Sequence, residues 1–598
     1  MPDDRTENQQ TPHIVDPYAR STDTFLEPPR GIMATLGHLG PGMILVGSIV
    51  GSGELIMTTK LGAEAGFVLL WFVLLSCFIK VVVQGELVRH TISSGRTFLD
   101  VFNTLPGPRG RRPVWLNLEW MAVVVVVCVI GLATYTQLRP ASGSAAPSPE
   151  GQEAVSAEAV ENPSTESQIS SAQPEQTGTG LWLNLGLLVF VVSTSAAWAG
   201  WILLRTNRRI ASGQTDGDEG ATELPQLNWF MWLWLVTILI LFVNGGAILG
   251  GAGQAVELAF PNLFGEGGSI YWTIMVAVLC AALLLTGGYA MLERISVGLV
   301  ATFTLITIIC TCLLQGTDYA ITPAQVAEGL QFNLPTALTA GMILTALGMY
   351  AGTGIGSSEM MTYTYWCVEK GYARNCGAPL PGQEWPRRAR GWVRVMYTDV
   401  FLTMVVYTVS TIGFYFLGAA VLHAQGKNPD GLATLRVLQQ VYVETLSGWG
   451  NWAATLFVVG GFFILFSTVL SGVAGGTRIL ADGLSVMGII DPRDYPARVR
   501  FTRIFVVVAL VLYTLTYAFF ENPPVMLMIA SMVSVAIYPV LGLGTLYLRY
   551  REVDSRIRPG PVTTLWLWVC GLALAIISPT AALFALALDR GWITLSGG

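Results

Sequence analysis

Thirteen times between Thr35 and Leu588 the chain returns to an apolar run of about twenty residues or more. Runs of that length suit helices that cross lipid, whereas strands of a membrane barrel need only about 9–11 residues. Lipid offers no hydrogen-bond partners, so a spanning backbone must satisfy itself, as a helix does. The chain is therefore expected to be an all-α polytopic membrane protein. Its spans read 34–59, 66–92, 115–137, 181–204, 228–258, 269–289, 292–315, 337–366, 393–422, 449–477, 501–520, 523–549 and 563–588. Charged residues make up 12% of the chain, against about 25% in soluble domains. The net charge of −6 is scattered through loops, so nothing points to a nucleic-acid partner. Membrane lipid is the partner that the composition implies.

Lys and Arg test the count, because they gather on the cytoplasmic side. With the N-terminus inside and the spans alternating, 26 of the 33 fall on inside segments and 5 outside; Lys80 and Arg89 lie within the second span. That asymmetry places the N-terminus in the cytoplasm and the C-terminus outside, in a bacterial inner (plasma) membrane. Residues 1–33 are polar and Pro-rich without an apolar leader run, and read as a disordered cytoplasmic tail. Residues 34–92 form the first two core helices. Residues 93–227 read as an insertion carrying two extra helices and a disordered external loop at 138–180, rich in Ser, Ala, Glu, Gln and Pro. Residues 206–226 are a polar inside linker. Residues 228–590 hold the remaining core helices, and 591–598 an external tail. Eight cysteines follow no ligand or disulfide spacing, and four histidines never pair at helical spacing, which argues against a zinc enzyme.

Two spans are interrupted alike. Gly47-Ser48-Ile49-Val50-Gly51-Ser52-Gly53-Glu54 and Gly352-Thr353-Gly354-Ile355-Gly356-Ser357-Ser358-Glu359 both run from small residues into Gly-Ser-(Gly/Ser)-Glu. By the topology above they point in opposite directions. Each Gly weakens a helix by about 1 kcal/mol relative to Ala, and Ser offers the backbone competing hydrogen bonds. Several together unwind a turn, which membranes tolerate only where the freed groups are buried in protein or line a wet cavity. A pair of broken, inverted helices points to a secondary transporter with its site at the breaks. Gly47-x-x-x-Gly51 and Gly352-x-x-x-Gly356 would also serve helix packing. Packing needs no charge, however, and an intramembrane carboxylate marks a substrate or ion pathway by default.

Around these residues the sequence resembles a known family. Gly40–Asp100 is similar to the first two helices of the Nramp divalent-metal transporters: the opening Gly40-Pro41-Gly42, the Gly62-Ala63 ahead of Gly66-Phe67, Leu69-Leu70-Trp71, Gln84 and Ser94-Gly95-Arg96 all fit. Gly287–Thr307, with its Tyr-x-x-Leu-Glu, is similar to the junction of the fourth and fifth helices, and Asn244–Leu258 to the third. The resemblance covers 33–100 and 228–590; spans 115–137 and 181–204 have no counterpart. It implies a LeuT-like inverted-repeat fold of about 11 core helices, here with 2 inserted, that moves Mn²⁺, Fe²⁺ and related cations, usually with protons.

The departures fall in the site. The family's Asp-Pro-Gly-Asn lies on Gly51-Ser52-Gly53-Glu54, so its metal-binding Asp is Gly and its Asn is Glu. Its Met-Pro-His lies near Gly356-Ser357-Ser358, so sulfur and imidazole are both missing. The Asp and Glu linked to proton movement fall on Asn244 and Ala247. The expected ion-binding set is therefore Gly51, Ser52, Gly53, Glu54, Gly356, Ser357, Ser358 and Glu359, with Glu54 and Glu359 as paired oxygen ligands. Asn244, Gln254, Thr353 and Met360 are candidate lining residues. Hard ligands favour Mn²⁺ or Mg²⁺ over softer metals. No resident cofactor is expected; the cargo is the divalent cation, with proton coupling and oligomeric state left open. Two other readings stay open. Gly51-Ser52-Gly53 resembles the Gly-Ser-Gly of amino-acid and polyamine carriers, which would make the cargo an organic solute. A membrane sensor on the same fold is the other. No nucleophile–base set or cofactor motif suggests an enzyme.

Elsewhere, Arg89 and His90 are expected to snorkel to the interface, Glu86 to pair with Arg89, and Glu293 with Arg294.

Overall fold

The structure, a computed structural model, describes residues 16–19, 25–138, 178–211, 224–261, 263–265, 268–336, 338–428, 437, 439, 443 and 451–589. Most of the external loop expected at 138–180, the middle of the linker at 206–226 and the tail at 591–598 lie outside the described residues.

Helix forms within each of the thirteen apolar runs. The first span is α1 (Pro41–Ile49), a π-helical turn at Gly53–Thr58 and α2 (Thr59–Ala65). Then come α3 (Leu70–Ser94), the short strand β1 (Arg109–Arg111), α4 (Leu118–Leu138), α5 (Gly178–Ala211), the strand β2 (Gln226–Asn228), α6 (Trp229–Ala259), α7 (Ser269–Thr286) and α8 (Tyr289–Leu314). A second series follows: α9 (Ala340–Gly352) and α10 (Ser357–Glu369), α11 (Glu384–Leu417), α12 (Asn451–Val486), α13 (Tyr495–Phe520), α14 (Pro523–Arg551) and α15 (Pro561–Asp589). Among the described residues nine helices are long and apolar enough to cross a membrane, or ten with the bent first span. The remaining expected spans are α4, α5 and the broken pair α9–α10.

The first span starts later than the hydropathy suggested. Residues 32–36 form a separate short helix, and Pro41 opens α1 at its first turn, where a missing N–H costs nothing. The N–H groups of Gly40 and Gly42 are met from far along the chain, by the buried carboxylate of Asp399 at 3.3 and 2.6 Å. Residues 25–28, read above as part of a disordered tail, lie against α11 and the segment around Asn375. The Leu26 N–H donates to the Asn375 carbonyl and Trp392 Nε1 to the Leu26 carbonyl, while Arg388 lies 3.9 Å over the Phe25 ring.

Two compact units divide the chain: Met1–Pro113 with Glu219–Gly598, and Val114–Asp218. In the smaller, α4 and α5 pair through Trp120 Nε1, which donates to the Ser195 carbonyl at 3.0 Å, and through Arg205 with Glu119. In the larger, β1 pairs antiparallel with β2. Burial there grades from centre to rim: 72% of the apolar window of α12 is buried, but only 28% of that of α7, α8 and α15. The outer helices turn Val278, Leu279, Leu305 and Leu565 outward, as lipid-facing surfaces do.

Near the end of α3 the snorkelling expectation fails. Arg89 and His90 are 8% and 1% exposed. Arg89 pairs with Glu86 at 3.0 Å, as expected, and its Nη1 donates to the Ile557 carbonyl. A charged group that is paired and hydrogen-bonded can stay buried. Glu293 takes Lys370 at 2.7 Å as its partner, across the fold.

Candidate functional site around the two broken helices

At the first break α1 ends with Val50 extended (ψ 92°), and the chain resumes as a π-helical turn bent 46° from α1. At the second, α9 ends at Gly352, Thr353 is extended, and Gly354 adopts φ +65°, a left-handed conformation that favours glycine. Helix α10 restarts at Ser357. The breaks touch at their glycines. A Cβ on Gly53 would run into the carbonyl of Gly352.

Glu54 ties the two breaks together. It is fully buried, and its Oε1 accepts the Gly354 N–H at 2.9 Å while Oε2 accepts the Gly51 N–H at 3.1 Å. Beside it the hydroxyls of Thr58 and Thr353 meet at 2.8 Å. The carbonyls freed at the first break are met from α12: Ser467 Oγ is 3.1 Å from Gly47 O, and Thr468 Oγ1 is 3.4 Å from Val50 O. Both of Glu54's oxygens thus hold backbone of the breaks. Glu54→Gln is expected to leave one of those N–H groups without an acceptor, lowering stability by about 1–3 kcal/mol. Thermal unfolding in detergent measures this.

Glu359 faces a cavity of about 170 Å³. It is the single formally charged residue among the described lining residues. Ser48 Oγ donates to its Oε1 at 2.9 Å and Ser358 Oγ to its Oε2 at 2.8 Å. Ser52, Asn244 and the sulfur-bearing Met57 and Met361 complete the polar and polarisable lining that matters here. The cavity extends along the first turns of α6 (Trp234, Thr237) and the last turns of α12 (Thr477, Leu480), toward the side of the Lys/Arg-rich segment 478–503. On the opposite side α2 is sealed: His423 Nδ1 lies 2.8 Å from the Ala63 carbonyl, and Tyr415 OH donates to the Gly66 carbonyl.

The expected residues therefore divide. Ser52, Gly53, Gly356, Ser357, Ser358, Glu359 and Asn244 line the cavity; Gly51, Glu54, Thr353, Met360 and Gln254 do not. Met360 is fully buried, and its neighbour Met361 takes the lining position instead. Gln254 Nε2 donates to the Tyr517 hydroxyl. The two glutamates, expected as paired ligands, occupy different surroundings: one binds backbone, the other faces open space. Among the described residues no group of three or more His, Cys, Asp or Glu is placed to hold a metal ion. Any cation here would be held by one carboxylate with hydroxyl, amide, thioether and water ligands.

Sequence reasoning did not single out Ser48 and Met57, each three residues from a position it did name, or Thr468 on α12. It also passed over Asp399, a lone acid in an apolar run and so a signal that was there to use. Asp399 proves to be a cap for α1, held also by Tyr363 OH at 2.8 Å.

The family model described as natural resistance-associated macrophage protein-like matches residues 222–583, a stretch that begins after the first break. Solved structures of the Eremococcus coleocola manganese transporter share the fold. One variant of it aligns with TM-score 0.54 at 12% identity, over 96% of this chain and 92% of that one. Its complex with an aromatic bis-isothiourea compound aligns with TM-score 0.53 at 12% identity and the same coverage. No curated protein sequence matches the chain significantly. The five spans α1–α2, α3, α6, α7 and α8, followed by the five from α9 to α14 in the opposite sense, make the LeuT-like inverted repeat, with α15 added and α4–α5 inserted. The family model covers more than half of the residues, and on that ground the chain belongs to the Nramp family.

Proposed function

We propose that this protein is a secondary transporter that carries a divalent cation of the Mn²⁺ type across the membrane by alternating access, with Glu359 as the anionic ligand. The observation that carries this reading is a lone carboxylate facing a cavity where two inverted, broken helices meet, in a chain of the Nramp family. Serine hydroxyls and the Asn244 side chain supply the oxygen donors that Mn²⁺ and Mg²⁺ both accept. The thioethers of Met57 and Met361 favour Mn²⁺, because Mg²⁺ takes hard oxygen ligands. The structures that this fold resembles are described as those of a manganese transporter.

In this reading Glu54 is a positioning residue that holds the breaks in register for Glu359. The N-terminus lies in the cytoplasm and the C-terminus outside, in a plasma membrane. The cavity then extends toward the cytoplasm, so the conformation is inward-facing. The protein binds and releases its cargo without catalysing a chemical step and without a resident cofactor.

Uptake into proteoliposomes tests the proposal. Saturable Mn²⁺ uptake is expected, with Mg²⁺ taken up less well; a pH gradient imposed across the same vesicles reads out proton coupling. Folded protein that moves neither ion would overturn the cation reading and direct the assay to amine-bearing organic solutes.

A further inference from the structure

Lys80, midway along α3, has no exposed surface. A buried ammonium is costly unless it is paired, and the partners here are unusual. Its Nζ lies 2.5 Å from the carbonyl oxygen of Tyr350 and 2.5 Å from that of Thr353. No carboxylate lies within ion-pair distance of it among the described residues. The Tyr350 and Tyr538 rings stand 5.1 and 5.6 Å away and present their faces.

These carbonyls belong to the end of α9. The last turn of a helix leaves carbonyls without intrahelical partners and carries the negative end of the helix dipole. In a broken membrane helix such an end is a ready cation site. Here protein donors occupy three of these carbonyls: Lys80 takes Tyr350 O and Thr353 O, and Tyr538 OH donates to Ala351 O at 3.0 Å. Two carbonyl oxygens and two aromatic faces are the surroundings of a bound monovalent cation, with a lysine tether in place of free diffusion.

We propose that the Lys80 ammonium is a built-in monovalent cation that fills the carbonyl end of the second break, so that this protein cycles without a dissociable sodium or potassium ion there. The inference concerns the end of α9 and does not depend on which cargo Glu359 binds. Its test therefore has a readout apart from transport.

Purified full-length protein is compared in sodium, potassium and choline chloride at equal ionic strength, by thermal unfolding and by Mn²⁺ uptake. The wild type is expected to behave alike in all three. Lys80→Ala leaves the buried Thr353 carbonyl without its donor and the Tyr350 carbonyl with Ser76 Oγ at 3.4 Å alone, so in choline its unfolding midpoint drops and any uptake falls at least about tenfold. Sodium or methylammonium should restore the midpoint, and bring uptake to within about threefold of wild type. If Lys80→Ala cannot be purified in choline, purification in sodium or methylammonium chloride becomes the rescue arm. A wild type that needs sodium or potassium overturns the proposal. So does a Lys80→Ala protein that is unaffected in choline, or one that none of these cations rescues.

Discussion

Glu359→Gln is expected to remove saturable Mn²⁺ uptake while leaving the protein folded. The carboxylate is half-buried and faces the cavity, and its two partners are serine hydroxyls that can rotate to suit an amide. Gln therefore keeps the local hydrogen bonds and deletes only the charge. Hydrogen bonds to charged groups are worth roughly twice neutral ones, and this is the one charge that the described cavity lining offers a cation. The expected loss in kcat/KM is about 100-fold, which corresponds to about 2.7 kcal/mol. Initial uptake rates across a range of Mn²⁺ concentrations measure it, with thermal unfolding as the control. Equal uptake by Glu359→Gln and wild type would remove Glu359 from the ion path. The comparison with Glu54→Gln is informative because the expectations are opposite: Glu54 loses stability first, Glu359 loses transport first.

Gly53→Val is expected to damage the fold more than any other single change in the cavity lining. A Cβ at this position collides with backbone, the Gly352 carbonyl group, and no side-chain rotamer can relieve it. The two half-helices must move apart, which disturbs Glu54's bonds to Gly51 and Gly354 together. Overpacking costs about 1–3 kcal/mol in ordinary cores, and coupled loss of the two hydrogen bonds brings the total to about 3–5 kcal/mol. A sharp fall in monodisperse protein after detergent extraction, with a lowered unfolding midpoint, is the measurement. Gly298 serves as the matched control. A Cβ there meets nothing within 4 Å, so Gly298→Ala should be neutral or gain up to about 1 kcal/mol from helix propensity. Equal tolerance at both positions would mean that the breaks do not pack as described.

Much of the architecture was legible because a membrane imposes one simple length rule. Apolar runs marked every long helix, and clusters of Gly, Ser and Glu marked both breaks, since few other sequences let a buried helix unwind. The limits had physical causes. Hydropathy cannot distinguish Ile32–Leu36 from the span that follows, although Gly40-Pro41 carried the boundary signal. It cannot foresee that Met361 and not Met360 turns to the cavity, because a one-residue difference is a rotation of about 100° around a helix. Nor could it anticipate that Lys80 finds its partners 270 and 273 residues away. Two similar glutamates in two similar motifs suggested a symmetric pair of ligands. Folding broke that symmetry, because the first half-helix continues as a π-turn that buries Glu54, while the second starts afresh at Ser357 and turns Glu359 to the cavity.

The small β1–β2 ladder has a consequence for how such a chain can change. Arg109 pairs with Asn228 and Arg111 with Gln226, and the Arg112 N–H donates to the Pro225 carbonyl. The path to α4 and the return from α5 therefore pass through one clasp. Everything between leaves and comes back at a single point, like a side loop on a closed circuit. Such a cassette can lengthen, diverge or be exchanged without re-routing the transporter to which it is spliced.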